Sequence, residues 1–215
     1  MIRAVIFDMD GLLVDSEVYW EEARRRYCAD RACTWRTEDE LGVKGNNSPE
    51  WAVAIGKHCG FDEQPEQIIE AVVARMREMY ERGLPLLPGA VEVVRALAER
   101  FPLAVASSSP PTLIEYVMSE AGIRLQFKEI VSADEVGRGK PAPDVFLTAC
   151  EQLGFAPKMC AVFEDSSAGI MAAHAAGMFI VAVPNPHYPP HDDALSKADI
   201  VLQSLLDFRP EMLGQ

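Results

Sequence analysis

The groups in this chain that could do chemistry stand at the ends of apolar runs. Asp8-Met9-Asp10-Gly11 follows the run Arg3 to Phe7. In extended backbone, residues i and i+2 face the same way, so both carboxylates would point at one site. Ser107, Ser108 and Ser109 follow the run Leu103 to Ala106, and Glu164-Asp165 follow Ala161 to Phe163. Lys140 stands in GKPAPD, ahead of a helical pattern. Taken singly, each has an ordinary explanation: Asp and Gly form turns, Ser and Asp cap helices, and a loop lysine is a solvated charge. Four such groups on successive run ends are harder to explain that way. Four carboxylates in one small site would repel one another unless a cation sat among them. All-oxygen ligation of that kind suits Mg²⁺. A lysine and a serine hydroxyl beside the ion are good donors to phosphate oxygens. The set therefore asks for a phosphoryl group held by metal, Lys140 and Ser107, and attacked by a carboxylate.

The elements that must position these groups alternate along the chain. Short apolar runs at 3–7, 103–106, 130–131, 161–163 and 179–183 predict buried strands. Helical spacing predicts helices at 90–100, 113–121, 144–153 and 167–176, the last stopped by Gly177. Such alternation predicts an α/β fold: a doubly wound, parallel, Rossmann-like sheet whose strand ends converge on one crevice. From Ser16 to Leu84 only helical patterns occur, over 17–29 and 65–82. The expected organisation is an α/β core domain of residues 1–15 and 85–215, with an α-helical cap domain, 16–84, inserted after the first strand. Pro184 to Asp193 reads as a Pro-rich loop, where His187 and His191 are expected as exposed loop residues rather than a second metal site.

Composition narrows the partners. The chain has 215 residues, 33 acidic against 20 basic, for a net charge of −13. That excess argues against binding nucleic acid or anionic membranes, since both need basic surface. A small phosphate ester stays compatible, because a bound divalent ion and Lys140 would reverse the sign locally. No apolar stretch is long enough to span a bilayer, and the N-terminal run is too short for a signal peptide. The five cysteines, at 28, 33, 59, 150 and 160, are odd in number and lack a C-x-x-C pair. They are expected as free thiols in a reducing cytoplasm. A monomer or weak homodimer is expected.

Four segments, FDMDGLLVDSE, VASSS, GKPAPD and VFEDSSAGI, occur in that order. Through them the chain resembles the haloacid dehalogenase superfamily, in the helical-cap branch that includes β-phosphoglucomutases and sugar phosphatases. The resemblance implies that Asp8 is a nucleophile forming an aspartyl-phosphate and Asp10 the general acid and then base. It implies that Ser107 and Lys140 hold the phosphate, with help from the amides of Met9, Asp10 and Ser108, and with Ser109 beside them. Mg²⁺ would be held by Asp8, the Asp10 carbonyl and Asp165, with Glu164 as a direct or indirect ligand. The presence of Asp10 speaks against dehalogenation, since a halide leaves without a proton. Related mutases carry a His where this chain has Trp20 and an Arg near Ser48, which favours hydrolysis here. The loop Val43 to Ser48, with Lys44, Gly45 and Asn47, either faces the substrate or merely turns the chain. Trp20 is either a substrate contact or an anchor of the cap core. The expectation is a Mg²⁺-dependent phosphatase for a small phosphorylated metabolite, a sugar or polyol phosphate. A phosphomutase, or a non-catalytic binding protein on the same fold, is the alternative.

Overall fold

In the computed structural model, which describes residues 1–43 and 45–214, the apolar runs pair into one parallel sheet. Its strands are β1 (Ala4–Phe7), β2 (Leu103–Ser107), β3 (Phe127–Ser132), β4 (Cys160–Glu164), β5 (Phe179–Ala182) and β6 (Ile200–Val201). The spatial order is β3-β2-β1-β4-β5-β6. Phe7 lies level with Val105 on one side and Phe163 on the other, so the ends of β1, β2 and β4 finish together. The alternation of strand side chains divides the core in two. Val5 and Phe7 face α5 (Ala90–Ala98) and α6 (Pro111–Glu120); Ala4 and Ile6 face α7 (Asp144–Leu153) and α8 (Ser167–Ala176). Phe7, fully buried and stacked on Phe163 at 4.8 Å, anchors the centre. Burying one such side chain stabilises by about 1.5–3 kcal/mol. This strand order reverses its winding between β1 and β4, and open α/β sheets bind ligands at that point.

Among the described residues between β1 and α5 lie four further helices: α1 (Glu17–Ala29), α2 (Thr37–Leu41), α3 (Ser48–Cys59) and α4 (Pro65–Tyr80). The stripe Ile68, Val72, Val73, Met76 and Tyr80 buries one face of α4, which packs against α1 and α3. Asn47 caps α3 by accepting from the Glu50 N–H at 3.1 Å. The chain enters and leaves this helical segment side by side. Asp15 N–H donates to the Pro85 carbonyl at 2.8 Å, and Leu87 N–H to that of Leu13 at 2.9 Å. The apolar layer under Phe7 runs on through Leu12, Leu13 and Val14 into Trp20 and Tyr27.

Several features depart from expectation. Helices α2 and α3 are not anticipated between the two helical patterns of the segment. The two-residue strand β6 and the four-residue helix α9 (Asp192–Leu195) are too short to leave a periodic pattern. The thiols call for a correction: Cys33 and Cys59 form a disulfide, with Cα atoms 5.7 Å apart. Packing of the loop after α1 on the end of α3 brings them together, which spacing along the chain does not reveal. Cys28, Cys150 and Cys160 are free and buried. Cysteine usage therefore gives no argument for a reducing compartment. No helix among the described residues is long and apolar enough to cross a membrane.

Candidate active site

Asp8 leaves the end of β1 and meets a lysine from the loop ahead of α7. Lys140 Nζ donates to Asp8 Oδ1 at 2.7 Å and to Glu164 Oε1 at 2.6 Å. Its Nζ lies over the Phe146 ring, 4.8 Å from the centroid. All three charged residues are buried. Burial pushes the Asp8 carboxyl up to about 8, against the pull of Lys140. Burial alone would depress the Lys140 ammonium, but Asp8 and Glu164 outweigh it and raise it. Lys140 thus stays a cation, and no described residue donates a hydrogen bond to the second Asp8 oxygen.

Asp8, Glu164 and Asp165 present carboxylate oxygens within 4.8 Å of one another. Three buried carboxylates gathered around one ammonium make an all-oxygen donor set that fits a divalent cation. Glu164 already serves the protein with both oxygens. Its Oε2 accepts from the Asp165 N–H at 2.8 Å, the Ser166 N–H at 2.9 Å and the Ser166 hydroxyl at 3.0 Å. Two glycines make room for this cluster. A Cβ on Gly169 would overlap the Glu164 carboxylate. Gly11, at φ +81°, would bring one within 2.8 Å of Asp165 Cγ.

The Asp10 carboxylate belongs to a different network. Its Oδ1 accepts from Trp20 Nε1 at 3.0 Å; its Oδ2 accepts from Ser107 Oγ at 2.9 Å and Ser109 Oγ at 2.8 Å. Three carboxylates gather at the candidate cation site, therefore, rather than four. Ser107 is fully buried, and its oxygen also accepts from the Ser109 N–H at 3.0 Å. Ser108 and Ser109, and not Ser107, line the cavity above.

That cavity, of about 470 Å³, lies between the strand ends and the helical segment. Asp8, Asp10 and Lys140 form its floor; Trp20, Arg24, Glu40 and Trp51 stand in its wall. Of the loop Val43 to Ser48 singled out from sequence, Val43, Gly45 and Asn46 line the cavity, and the Gly45 carbonyl accepts from the Ser108 hydroxyl at 3.0 Å. Asn47 is directed elsewhere: it caps α3, and its amide donates to the Gly137 carbonyl at 3.3 Å. The Met9 side chain is buried in the apolar core. Lys44 lies outside the described residues.

Sequence reasoning missed Arg24, Glu40, Trp51, Tyr188 and His191 in the lining. It also missed buried Asn185, whose amide donates to the Gly11 carbonyl at 3.3 Å and so braces the turn after Asp10. An asparagine between two prolines, just past the end of β5, was the available hint. Neither His187 nor His191 joins a cluster of metal-ligating groups among the described residues.

A doubly wound sheet with buried carboxylates at its switch point defines the class, and comparison agrees. The family model of haloacid dehalogenase-like hydrolases matches residues 2–177, and the chain belongs to that family. It is 35% identical over 219 residues to hexitol phosphatase B of Escherichia coli, covering 99% of this chain and 97% of that protein. It is 34% identical over 216 residues to a bifunctional riboflavin kinase/FMN phosphatase of Arabidopsis thaliana, covering 98% of this chain but only 55% of that protein. Among solved structures, β-phosphoglucomutase from Clostridium difficile superposes with a TM-score of 0.85 at 26% identity, covering 99% of this chain and 96% of that one.

Proposed function

We propose that this chain is a Mg²⁺-dependent phosphatase that hydrolyses a small sugar or polyol phosphate through an aspartyl-phosphate. In this reading residues 1–15 and 85–215 are the core domain, and 16–84 is a cap that closes over the substrate. The observation that carries it is Asp8, buried at the cavity floor with one oxygen on Lys140 and the other without a donor among the described residues. That oxygen attacks phosphorus while the bond to the leaving-group oxygen breaks, and Asp10 gives that oxygen a proton. Asp10 then takes a proton from water, the water oxygen bonds to phosphorus, and the phosphorus–Asp8 bond breaks to release phosphate. Lys140 faces the charge that builds on the phosphoryl oxygens. Ser107 and Ser109 hold Asp10 from the core side, and Ser108, whose hydroxyl is on the Gly45 carbonyl, lines the cavity beside them. Asp8, the Asp10 carbonyl and Asp165 would hold the ion, while Glu164 orients Lys140 and the Asp165 backbone. Bound there, Mg²⁺ would offset charge on the transferring group.

The cavity volume is in the range of small-molecule sites, and its indole faces suit a carbon skeleton bearing hydroxyls. The name of the hexitol phosphatase relative supports the same class of ester. A phosphomutase is the second reading, because a β-phosphoglucomutase shares the fold over nearly the whole chain. The test is phosphate release from a panel of hexitol and hexose monophosphates, with Mg²⁺ and then with a chelator. Release that the chelator abolishes is expected. With a sugar bisphosphate activator added, an isomeric sugar phosphate formed in place of free phosphate would favour the mutase, and silence across the panel with and without the activator would overturn both.

A further inference from the structure

Asp10 sits at the floor of the cavity, yet one of its hydrogen bonds comes from the opposite side. Trp20 lies in α1, in the helical segment, and its indole N–H reaches across to Asp10 Oδ1 at 3.0 Å. The indole is itself held. The Arg24 guanidinium lies 4.8 Å from the Trp20 ring centre and 4.9 Å from that of Trp51, and the two rings are 5.9 Å apart. Arg24 is in turn fixed by a buried ion pair with Glu40, whose other oxygen accepts from Trp35 Nε1 at 3.0 Å. A relay of contacts wholly within the helical segment therefore ends on a core carboxylate.

The geometry has a chemical consequence. Two serine hydroxyls hold Oδ2 from the core side. Donors on a single oxygen leave the carboxyl plane free to turn about it. A third donor on Oδ1 fixes the plane, and with it the direction in which a proton can be delivered. We propose that Trp20 is a positioning residue: its N–H orients the Asp10 carboxyl toward the leaving-group oxygen. Because Trp20 rides on α1, that orientation exists only while the helical segment is seated on the strand ends. This inference rests on the phosphatase reading above and assigns Trp20 a role beyond lining the cavity.

The test separates positioning from structure by the leaving group. Nitrophenolate departs without a proton, whereas the alkoxide of a hexitol needs one. kcat/KM reports the first chemical step, so the ratio of kcat/KM for sorbitol 6-phosphate to that for 4-nitrophenyl phosphate measures the acid's contribution. Trp20→Phe keeps an aromatic ring and removes the N–H. It should lower that ratio at least about tenfold, mainly through kcat for the hexitol ester, since a displaced general acid forfeits part of its usual contribution. Trp20→His, which restores a ring N–H, should recover much of the ratio. A ratio unchanged in Trp20→Phe, whether both substrates lose activity together or neither does, overturns the proposal. A change confined to KM for the hexitol ester also overturns it and makes Trp20 a substrate contact. If the Phe variant is too unstable to assay, replacing Trp20 by its benzothienyl isostere, with sulfur at the N–H position, keeps the shape and applies the same criterion. A wild-type protein inactive on both esters would instead sink the phosphatase reading, and this inference with it.

Discussion

The two sides of the cavity are built on opposite principles. On the strand-end side, charges and hydroxyls satisfy one another: Lys140 bridges Asp8 and Glu164, and Ser107 and Ser109 hold Asp10. On the helical side the surface is aromatic, with Trp20 and Trp51 flanking Arg24, and its charge sits in the Arg24–Glu40 pair. The strand-end groups are placed by backbone that belongs to the sheet, whose register is fixed by pairing on both sides of β1. The helical groups are placed by packing between helices. Chemistry needs the first kind of precision; selection of a leaving group tolerates the second. Substitutions on the strand-end side should therefore strike turnover of every ester, whereas those on the helical side should strike stability or, at Trp20, turnover of those esters alone whose leaving group needs a proton.

The largest effect should come from Asp8. Asp8→Asn removes the attacking oxygen and should take phosphate release below detection, with circular dichroism unchanged and a thermal midpoint close to wild type. Measurable turnover in this variant would break the assignment. Asp10→Asn keeps one acceptor oxygen, enough for Trp20 or for the two serines but not for all three, and cannot exchange a proton. It should lower kcat on a hexitol phosphate by at least about 10²-fold, the lower end of what general acid–base catalysis contributes. A loss of only a few-fold would place the acid elsewhere.

The same contrast explains what was legible in the sequence. β1, β2 and β4 were visible as apolar runs, and Asp8, Asp10, Glu164 and Asp165 sit within two or three residues of their ends. In a parallel sheet, proximity to a strand end is nearly a statement of position in space, so short motifs carried the site. The direction of the Asp10 carboxylate was not legible, because it depends on Trp20 arriving from α1. Arg24, Glu40 and Trp51 come from three helices, and their convergence depends on crossing angles that periodicity does not encode. The Cys33–Cys59 bridge escaped for the same reason. Asn185 escaped because its role is to brace the Gly11 turn, a contact 174 residues away along the chain.

On the helical side, Arg24→Met should leave Glu40 buried with Trp35 as its remaining hydrogen-bond donor among the described residues. Removing one partner of a buried pair typically costs about 3–5 kcal/mol, and replacing both by apolar side chains costs far less. Denaturant melts should thus show a large loss for Arg24→Met and substantial recovery on adding Glu40→Leu. If Arg24→Met melts like wild type, the pair does not hold the aromatic wall, and the two sides of the cavity are less different than they look.

The smallest effect concerns the seam between the two sides. Asp134, in the core, accepts the Ser48 N–H at 2.6 Å at the start of α3, so a core carboxylate helps cap a helix of the opposite segment. Burial raises the Asp134 carboxyl above its usual range, and the hydrogen bond from Ser48 only partly offsets this. A raised carboxyl binds its proton more tightly in the folded form. Its contribution is therefore fully present below the unfolded value of 3.8 and is lost as pH rises through the folded value. Asp134→Asn keeps the acceptor and removes the half-buried charge, so at pH 7 it should be at least as stable as wild type. That advantage should shrink as the pH falls toward the ordinary carboxylate range. Asp134→Ala loses the acceptor itself and should be destabilised by about 1 kcal/mol, the usual cost of losing a helix N-cap. Thermal melts of the three proteins across pH check both claims. An Asn variant less stable than wild type at pH 7 would mean that the charge, and not the acceptor alone, holds α3 against the core.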